Sequence, residues 1–248
     1  MRGRVDGMTN DNTTPVAVIT GASRGLGAAL ARGLAAAGWR LVLDARTAGD
    51  LDVIAAELGQ RTTVIAIPGD VVDDDHRAVL AVAAGQLGGA DLLVNNASVL
   101  GGSPLPALAT FPLPALLETF EVNALAPIAL TQLLLPQLRR SPSGGAILNI
   151  SSDAAVEAYE GWGGYGAAKA ALDHAGAVLA LEEPDVRVWS VDPGEMRTRL
   201  YQQAAPGEDI SHLPPPETVV PHLLGLLRAR PASGRYAASD LPAVEGAR

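Results

Sequence analysis

Short apolar runs alternate along the chain with longer segments in which apolar positions recur at helical spacing. The short runs are rich in β-branched residues and are bounded by turn-forming residues, which is typical of buried parallel strands. Six of them predict strands, at residues 16–20, 40–45, 62–67, 91–96, 146–151 and 186–191. Because right-handed crossovers place the intervening helices on both faces of such a sheet, this order predicts an α/β fold with a doubly wound parallel sheet.

The domain organisation follows from what the chain lacks. No internal repeat or low-complexity linker interrupts it, so we expect a single domain over residues 15–248, preceded by a flexible polar arm over residues 1–14. Two proline-rich segments, residues 103–114 and 211–221, are expected to form loops at the carboxyl edge of the sheet. Since ligands bind at that edge, we expect these loops to wall a substrate pocket.

Composition and charge exclude several classes of function. The chain has 18 basic and 27 acidic residues, and its net charge of −9 repels phosphate backbones and anionic membranes, so neither is an expected partner. It has no cysteine, and its four histidines show no ligand spacing, so no metal site is expected. The first residues lack the apolar core of a signal sequence, and no run reaches the ~18 consecutive apolar residues of a membrane span. These features favour a soluble, cytoplasmic protein.

A glycine-rich turn, TGASRGLG at residues 20–27, joins the first strand to a helix. Its glycines would allow the backbone to approach a pyrophosphate, whose charge the free N–H groups of the helix would bind. Such a motif can also be a tight turn and nothing more. Asp70 and Asn95–Asn96 end two further strands, where they could contact an adenine or tie loops together, or could be ordinary turn residues.

Seven motifs occur together in one order: TGASRGLG, GDV, LVNNA, VN at Asn123, NISS, YGAAK and DPGEMRT. The set resembles the short-chain dehydrogenase/reductase family, of the compact single-domain type, over residues 16 to about 236. The resemblance implies a Rossmann-type fold, a nicotinamide cofactor and a catalytic tetrad of Asn123, Ser152, Tyr165 and Lys169. Ser152 is chosen because the family keeps thirteen positions between serine and tyrosine; Ser151 is the alternative, as a strand-terminal hydroxyl that satisfies backbone groups.

The same resemblance implies which residues contact the cofactor. They lie in the glycine turn, at the ends of the second, third and fourth predicted strands, in the YGAAK helix and in the DPGEMRT loop: Gly21, Ser23, Arg24, Gly25, Leu26, Gly27, Ala45, Arg46, Asp70, Val71, Asn96, Ala97, Tyr165, Lys169, Pro193, Gly194 and Thr198.

Tyr165 and Lys169 share a helix face, because they are one turn apart. A cation at ~4 Å, at an effective dielectric constant of ~20, would favour the phenolate by about 4 kcal/mol, which would lower the tyrosine pKa from about 10 towards neutrality. In the tetrad, Ser152 would bond the substrate oxygen, and Asn123 would anchor water in a proton path to Lys169. The alternative is a core aromatic and a surface cation at chance helical spacing.

Charge at the end of the second strand favours NADP over NAD. A carboxylate there would bind the ribose 2′-hydroxyl, whereas cations would bind a 2′-phosphate. The family's discriminating position falls on Ala45, with Arg46 beside it and Arg24 in the glycine turn. Asp44 favours NAD only if a shift of strand register brings it to the ribose.

Two departures from the family pattern concern the site. Ser98 follows NNA, where glycine is usual, and the glycine-rich ending is replaced, so the last strand is left undefined. Residues Gly161–Trp162 and 179–188 are locally similar to sepiapterin reductase, a pteridine-reducing member of the family. Arg199, however, stands where that enzyme has the acid that grips the pterin, which counts against a pterin substrate.

Three functional classes follow. The first is an NADP(H)-dependent oxidoreductase acting on a carbonyl or secondary alcohol; the second is a non-catalytic dinucleotide-binding regulator; the third is another chemistry on the same fold, such as enoyl reduction, dehydration or epimerisation. The intact tetrad favours the first.

The two longest predicted helices, residues 115–140 and 165–183, are apolar on several faces, which predicts a homodimer or homotetramer.

Overall fold

A computed structural model describes residues 14–244, and the predicted arm, apart from Thr14, lies outside the described residues. Seven strands form one parallel sheet in the order β3-β2-β1-β4-β5-β6-β7. The strands are β1 Val16–Ile19, β2 Arg40–Ala45, β3 Val64–Pro68, β4 Leu92–Asn95, β5 Ala146–Ile150, β6 Arg187–Asp192 and β7 Gly234–Ala237. The six predicted strands are confirmed, each to within two residues at its ends. The single domain over residues 15–248 stays a prediction.

Helices cover both faces of the sheet. They are α1 Gly25–Ala36, α2 Ala48–Leu58, α3 Asp74–Gln86, α4 Leu113–Phe120, α5 Ala126–Leu138, α6 Gly163–Glu182, α7 Arg199–Ala204 and α8 Val220–Ala229. Because successive side chains of a strand point to opposite faces, Ala17 and Ile19 pack in one buried cluster with α1 and α8, and Val16 and Val18 pack in a second cluster with α3 and α5. These two layers confirm the doubly wound sheet.

The order of the strands reverses between β1 and β4, which lie next to each other at the centre of the sheet. Connections leave these two strands towards opposite sides, and a crevice forms at their carboxyl ends. β7 extends the far edge, with Arg235 opposite Ser190 and Ala237 opposite Asp192 of β6. The sequence analysis did not predict β7, because its four residues, GRYA, include two exposed positions and no apolar run.

The long helix expected over residues 115–140 is two helices joined by a π-helical segment, Glu121–Leu125. A π-helical turn holds an extra residue and often occurs at functional sites; this one contains Asn123. By length and mean hydropathy, 1.3 in its most apolar window, the stretch Leu113–Leu138 is able to cross a membrane, as core helices of many soluble proteins also are. The absence of a membrane partner stays a prediction.

Candidate active site

A cavity of about 730 Å³ opens at the carboxyl edge of the sheet. Its walls come from the loops that follow β1, β2, β3, β4, β5 and β6. The cavity brings together every residue predicted for the site except Gly27 and Asn123. The carboxyl ends of strands that are far apart in sequence thus border the same cavity, as expected at a topological switch point.

The proline-rich segments do not line this cavity. Ala107 and Leu108 of the first segment line a neighbouring cavity that shares Tyr159 and Trp162 with it, and Leu108 packs against Gly163 at the start of α6. Val220 of the second segment packs against Gly33 of α1. That these segments wall a substrate pocket stays a prediction.

The cavity lining also includes residues that sequence reasoning did not assign to the site, among them Val99, Leu100, Leu200, Tyr201 and Gln203. Val99 and Leu100 lie in the loop after β4, and the other three lie on α7, the helix that follows β6. Their position after strand ends was the signal available in the sequence.

The glycine turn has the geometry that its sequence suggested. Gly21 and Gly25 have φ of 64° and 55°, a left-handed conformation that favours glycine. A Cβ on Gly27 would lie 2.4 Å from the carbonyl oxygen of Gly21, so Gly27 allows α1 to start directly beneath the turn and does not itself line the cavity. Asn96 donates hydrogen bonds from Nδ2 to the carbonyls of Thr20 (2.8 Å) and Gly21 (3.0 Å), which fixes the turn to the end of β4.

The turn fits a dinucleotide pyrophosphate. The N-cap residue Arg24 makes no side-chain cap and the first turn of α1 has no acidic residue, so its N–H groups are free to bind an anion. A Cβ on Gly25 would meet only the side chain of Thr198, at 3.7 Å, and a Cβ on Gly194 would meet nothing within 4 Å, so the backbone borders open space at both positions. An extended anion therefore has room between the turn and the loop after β6.

Two arginines and one carboxylate lie at the end of β2. Arg24 lines the cavity with its Nη2 3.6 Å from Asp50, and Arg46 lines it as an exposed side chain. The carboxylate of Asp44 is fully buried: Oδ1 is 2.6 Å from Nε2 of His76, and Oδ2 accepts a hydrogen bond from the N–H of Gly21 at 3.4 Å. Burial raises the pKa of Asp44, and the hydrogen bond to His76 opposes that rise.

Both oxygens of the Asp44 carboxylate therefore have hydrogen-bond partners within the protein. Asp44 pairs with Ile67, and Ala45 with Pro68, in the neighbouring strand β3. The choice between NADP and NAD stays a prediction. Sequence reasoning grouped His76 with the scattered histidines and missed this contact. The only feature of the sequence that could have predicted this contact was an acidic residue within an otherwise apolar strand, which indicates a buried partner.

Tyr165 and Lys169 lie on the cavity wall and are both buried, with 6% and 2% of their surface exposed. The Lys169 Nζ is 5.6 Å from the centre of the Tyr165 ring and donates a hydrogen bond to the carbonyl of Ile150 at 2.7 Å. Burial lowers the pKa of Lys169 to about 8, and Asp173 opposes that shift. The ammonium thus titrates close to neutral pH.

Burial raises the pKa of Tyr165 to about 12. Hydrogen bonds with Ser98 and Ser152 lower the pKa, whereas the charges of Asp192 and Asp153 raise it further. The expectation that Lys169 brings this phenol near neutrality is wrong for this structure, because desolvation of a buried phenolate outweighs the favourable groups. At neutral pH Tyr165 therefore holds its proton.

The two serines after β5 have different partners. The Ser151 Oγ donates to Oδ2 of Asp173 at 2.7 Å. The Ser152 Oγ donates to Oδ1 of Asp153 at 2.9 Å and lowers the pKa of the Tyr165 phenol. Ser151 is thus turned towards Asp173, and Ser152 is the serine that acts on Tyr165 in this structure. Its catalytic role stays a prediction.

Asn123 lies behind the cavity wall and is fully buried. Its Oδ1 accepts from the N–H of Val99 (2.9 Å) and the Oγ of Ser98 (3.1 Å), and its Nδ2 donates to the carbonyl of Val99 (2.8 Å). The side chain is thereby committed to the loop after β4, and a water path from it to Lys169 stays a prediction. Ser98, the departure from the family pattern, bonds to Asn123 and lowers the pKa of Tyr165.

Aromatic and acidic side chains also line the cavity. Trp162 lies edge-on to Tyr165, with ring centres 5.6 Å apart. The hydroxyl of Tyr159 donates to Asp153 at 3.0 Å, and that of Tyr201 donates to Glu195 at 2.9 Å.

Known proteins share both the sequence and the fold. The model of the short chain dehydrogenase family matches residues 15–209. An uncharacterized oxidoreductase of Mycobacterium tuberculosis is 36% identical over 203 residues, which cover 79% of this chain and 74% of that protein. Sepiapterin reductase of Rattus norvegicus is 35% identical over 201 residues, 76% of this chain and 77% of that enzyme.

A solved structure of similar shape is an alcohol dehydrogenase from Thermococcus sibiricus, complexed with 5-hydroxy-NADP. It has a TM-score of 0.81 at 30% identity, and the match covers 90% of this chain and 95% of that one. The matched family model and these relatives agree with the strand order and with the cavity at the switch point. The chain therefore belongs to the short-chain dehydrogenase family of oxidoreductases, whose members bind a nicotinamide cofactor and act on small molecules.

Proposed function

We propose that the protein is an NADP(H)-dependent oxidoreductase that transfers a hydride between nicotinamide and a carbonyl or secondary alcohol substrate. One observation carries the proposal: the cavity that holds the glycine turn at one end holds Ser152, Tyr165 and Lys169 at the other. A dinucleotide that lies along this cavity would place its reactive ring beside the Tyr165 hydroxyl.

A bound nicotinamide supplies or accepts the hydride at the substrate carbon. The residues of the chain manage the oxygen and the proton. Tyr165 keeps its proton at neutral pH, so in reduction its Oη donates that proton to the substrate oxygen. In oxidation the same Oη accepts the proton of the alcohol only after the phenol has released its own proton to solvent. Ser152 turns its hydroxyl from Asp153 to the same oxygen and orients it.

Lys169 is placed to act on Tyr165 by charge. Its ammonium stabilises the phenolate left after proton donation, because both groups are removed from water and their interaction is weakly screened. Ile150 fixes the ammonium at the end of β5. Asn123 has a positioning role: it holds the loop that carries Ser98 against the tyrosine.

The preference for NADP rests on charge at the end of β2. Arg24 and Arg46 line the cavity there, whereas Asp44 is buried against His76 and Gly21. Two guanidinium groups suit a 2′-phosphate, and no free carboxylate of Asp44 remains to bind a 2′-hydroxyl. The NADP analogue in the Thermococcus sibiricus structure supports the same choice.

The assembly proposed is a cytoplasmic homodimer or homotetramer. Four leucines on α4, the π-helical segment and α5 are exposed in the isolated chain: Leu113, Leu117, Leu125 and Leu133. A second copy of the chain that covers this face would remove apolar surface from water.

A screen of NADPH oxidation tests the proposed activity. We expect the purified protein to oxidise NADPH with at least one member of a panel of cyclic ketones, diketones and aldehydes, and to form the corresponding alcohol. A protein that binds NADPH tightly but turns over none of the panel would instead support the non-catalytic regulator. Reduction of an enoyl compound in place of the carbonyls would support another chemistry on this fold.

A further inference from the structure

A charged side chain from the last strand reaches the rear of the active site. The Arg235 Nε donates to Oδ2 of Asp173 at 3.1 Å, and its Nη2 donates to the main-chain carbonyl of Ser152 at 2.8 Å. The same Oδ2 of Asp173 accepts the hydroxyl of Ser151. One guanidinium thus joins β7, the helix α6 and the loop that carries the proposed catalytic serine.

Asp173 lies one helical turn beyond Lys169 on α6, and its side chain is 13% exposed. Its second oxygen, Oδ1, is buried and has no hydrogen-bond partner within residues 14–244. A buried carboxylate oxygen without a partner is costly, and its charge is poorly screened. The carboxylate therefore acts by its charge on Arg235, to which it is bonded, and on Lys169, whose pKa it raises.

We propose that Arg235 is a positioning residue of the active site. By its bond to the Asp173 carboxylate it partly neutralises the negative charge that acts on Lys169, and by its bond to the Ser152 carbonyl it holds the loop that carries Ser152. β7 is then part of the catalytic apparatus and does more than extend the sheet. The expected effect of Arg235 on turnover rests on the proposed function. Its expected effect on the titration of Lys169 does not.

The groups that face this region give the direction of the effect. Asp173 raises the pKa of Lys169 against the lowering by burial. Arg235 shares the Asp173 charge and lies 3.9 Å from Asp192 at the end of β6. Asp153 and Asp192 both act on Tyr165, the other titratable group beside the lysine. Glu118 and Glu121, on the helical segments packed against α6, are exposed to solvent.

Removal of Arg235 leaves Asp173 uncompensated, so Lys169 should hold its proton more strongly. Removal of the Asp173 charge, with Arg235 kept, should have the opposite effect, because the lysine loses the carboxylate that raises its pKa while the guanidinium bonded to that carboxylate stays. A network that only supported the fold would not shift one titration in two opposite directions. The two variants therefore separate a positioning role from a merely structural one.

Lys169 is the only lysine in the sequence, which allows a direct measurement. Protein labelled with ¹³Cε-lysine and carrying no lysine in its tag gives one lysine resonance, whose chemical shift can be followed with pH in the absence of cofactor. The variants are Arg235→Gln, Asp173→Asn and the double variant. Arg228→Gln, which changes an exposed arginine in the last turn of α8, is the control.

We expect the midpoint of the Lys169 titration to rise in Arg235→Gln and to fall in Asp173→Asn, each by roughly half to one pH unit, and to stay at the wild-type value in the control. The double variant should lie below wild type but above or near Asp173→Asn. Should Arg235→Gln fail to fold, the fall in Asp173→Asn remains a test. Midpoints unchanged in both variants, or moved in the same direction, would overturn the proposal.

The catalytic consequence is measured separately. With a substrate found by the NADPH screen, the pH at which kcat/KM changes should move in each variant in the direction of the NMR midpoint, and Arg235→Gln should lower kcat more than it raises KM. A wild-type protein with no carbonyl reductase activity would contradict the proposed function and leave the NMR result standing. If the NMR midpoints shift as expected but the pH dependence of kcat/KM in the active enzyme does not, the catalytic part of the inference would be overturned.

Discussion

Lys169 is hydrogen bonded to the carbonyl of Ile150, and this contact joins helix α6 to the last residue of strand β5 directly beneath the cavity. The bond is the ammonium's only protein hydrogen bond within the described residues, so a buried charge is held mainly by one neutral acceptor. Burying the ammonium in this way lowers the free energy of unfolding. The cost is consistent with a functional role for the charge, which would stabilise the Tyr165 phenolate beside it.

The cost of the buried lysine should appear as a pH-dependent stability. Its pKa falls from an ordinary 10.5 to about 8 in the folded chain, which corresponds to about 3 kcal/mol of destabilisation below pH 8. Between about pH 8 and 10.5 the folded protein releases this proton before the unfolded chain does, so the penalty fades as pH rises. Lys169→Met should therefore be more stable than wild type at pH 7, and the difference should shrink by pH 9.5.

Denaturant unfolding at both pH values measures this difference. The loss of the bond to Ile150 offsets the gain by about 1 kcal/mol at every pH. A stability difference that does not change between pH 7 and 9.5 would contradict a depressed lysine pKa.

Cofactor preference tests the two arginines at the end of β2. We expect NADPH to bind at least tenfold more tightly than NADH, a difference of about 1.4 kcal/mol, because Arg24 and Arg46 would contact the additional phosphate. Arg46→Ala should remove most of the preference and leave NADH binding nearly unchanged. Titration of cofactor fluorescence measures both, with Arg61→Ala, an exposed arginine outside the cavity lining, as the control. Equal affinities in wild type would show that the arginines do not select the phosphate.

The exposed leucines predict the behaviour of the chain in solution. Light scattering without detergent should give the mass of a dimer or tetramer, and Leu117→Glu should shift the equilibrium towards monomer because it places a charge in the covered face. Val53→Glu changes an exposed apolar residue on α2 and should leave the mass unaltered. A wild-type monomer at micromolar concentration would refute this use of the α4–α5 face.

Asn123 should prove important for stability as well as for activity. Asn123→Ala leaves a buried N–H and a carbonyl of Val99 without their partner, which should cost roughly 1–3 kcal/mol in the free energy of unfolding. Urea unfolding monitored by tryptophan fluorescence measures this loss. A change smaller than about 0.5 kcal/mol would mean that water or a shifted loop replaces the asparagine.

The sequence revealed those parts of the site that depend on local spacing. Tyr165 and Lys169 share a face because a helix repeats about every four residues, and the glycine turn is recognisable because it directly follows a strand. The contacts of Asp44 with His76 and of Asp173 with Arg235 were missed, since 32 and 62 residues separate the partners and only the sheet brings them together. The tyrosine pKa was misjudged for a related reason: burial decides it, and burial is a property of the whole fold.

Tyr165 is the proposed proton donor, and the turnover of Tyr165→Phe tests that role. With a carbonyl compound that the wild type reduces, this variant should lose roughly 10²–10⁴-fold in turnover, because it lacks the acid, while NADPH binding persists. Tyr236→Phe removes a hydroxyl that bonds the carbonyl of Ala232 outside the cavity lining and serves as the matched control, with turnover within a few-fold of wild type. We expect the large loss for Tyr165→Phe alone; near-normal turnover in Tyr165→Phe would place the proton donor elsewhere.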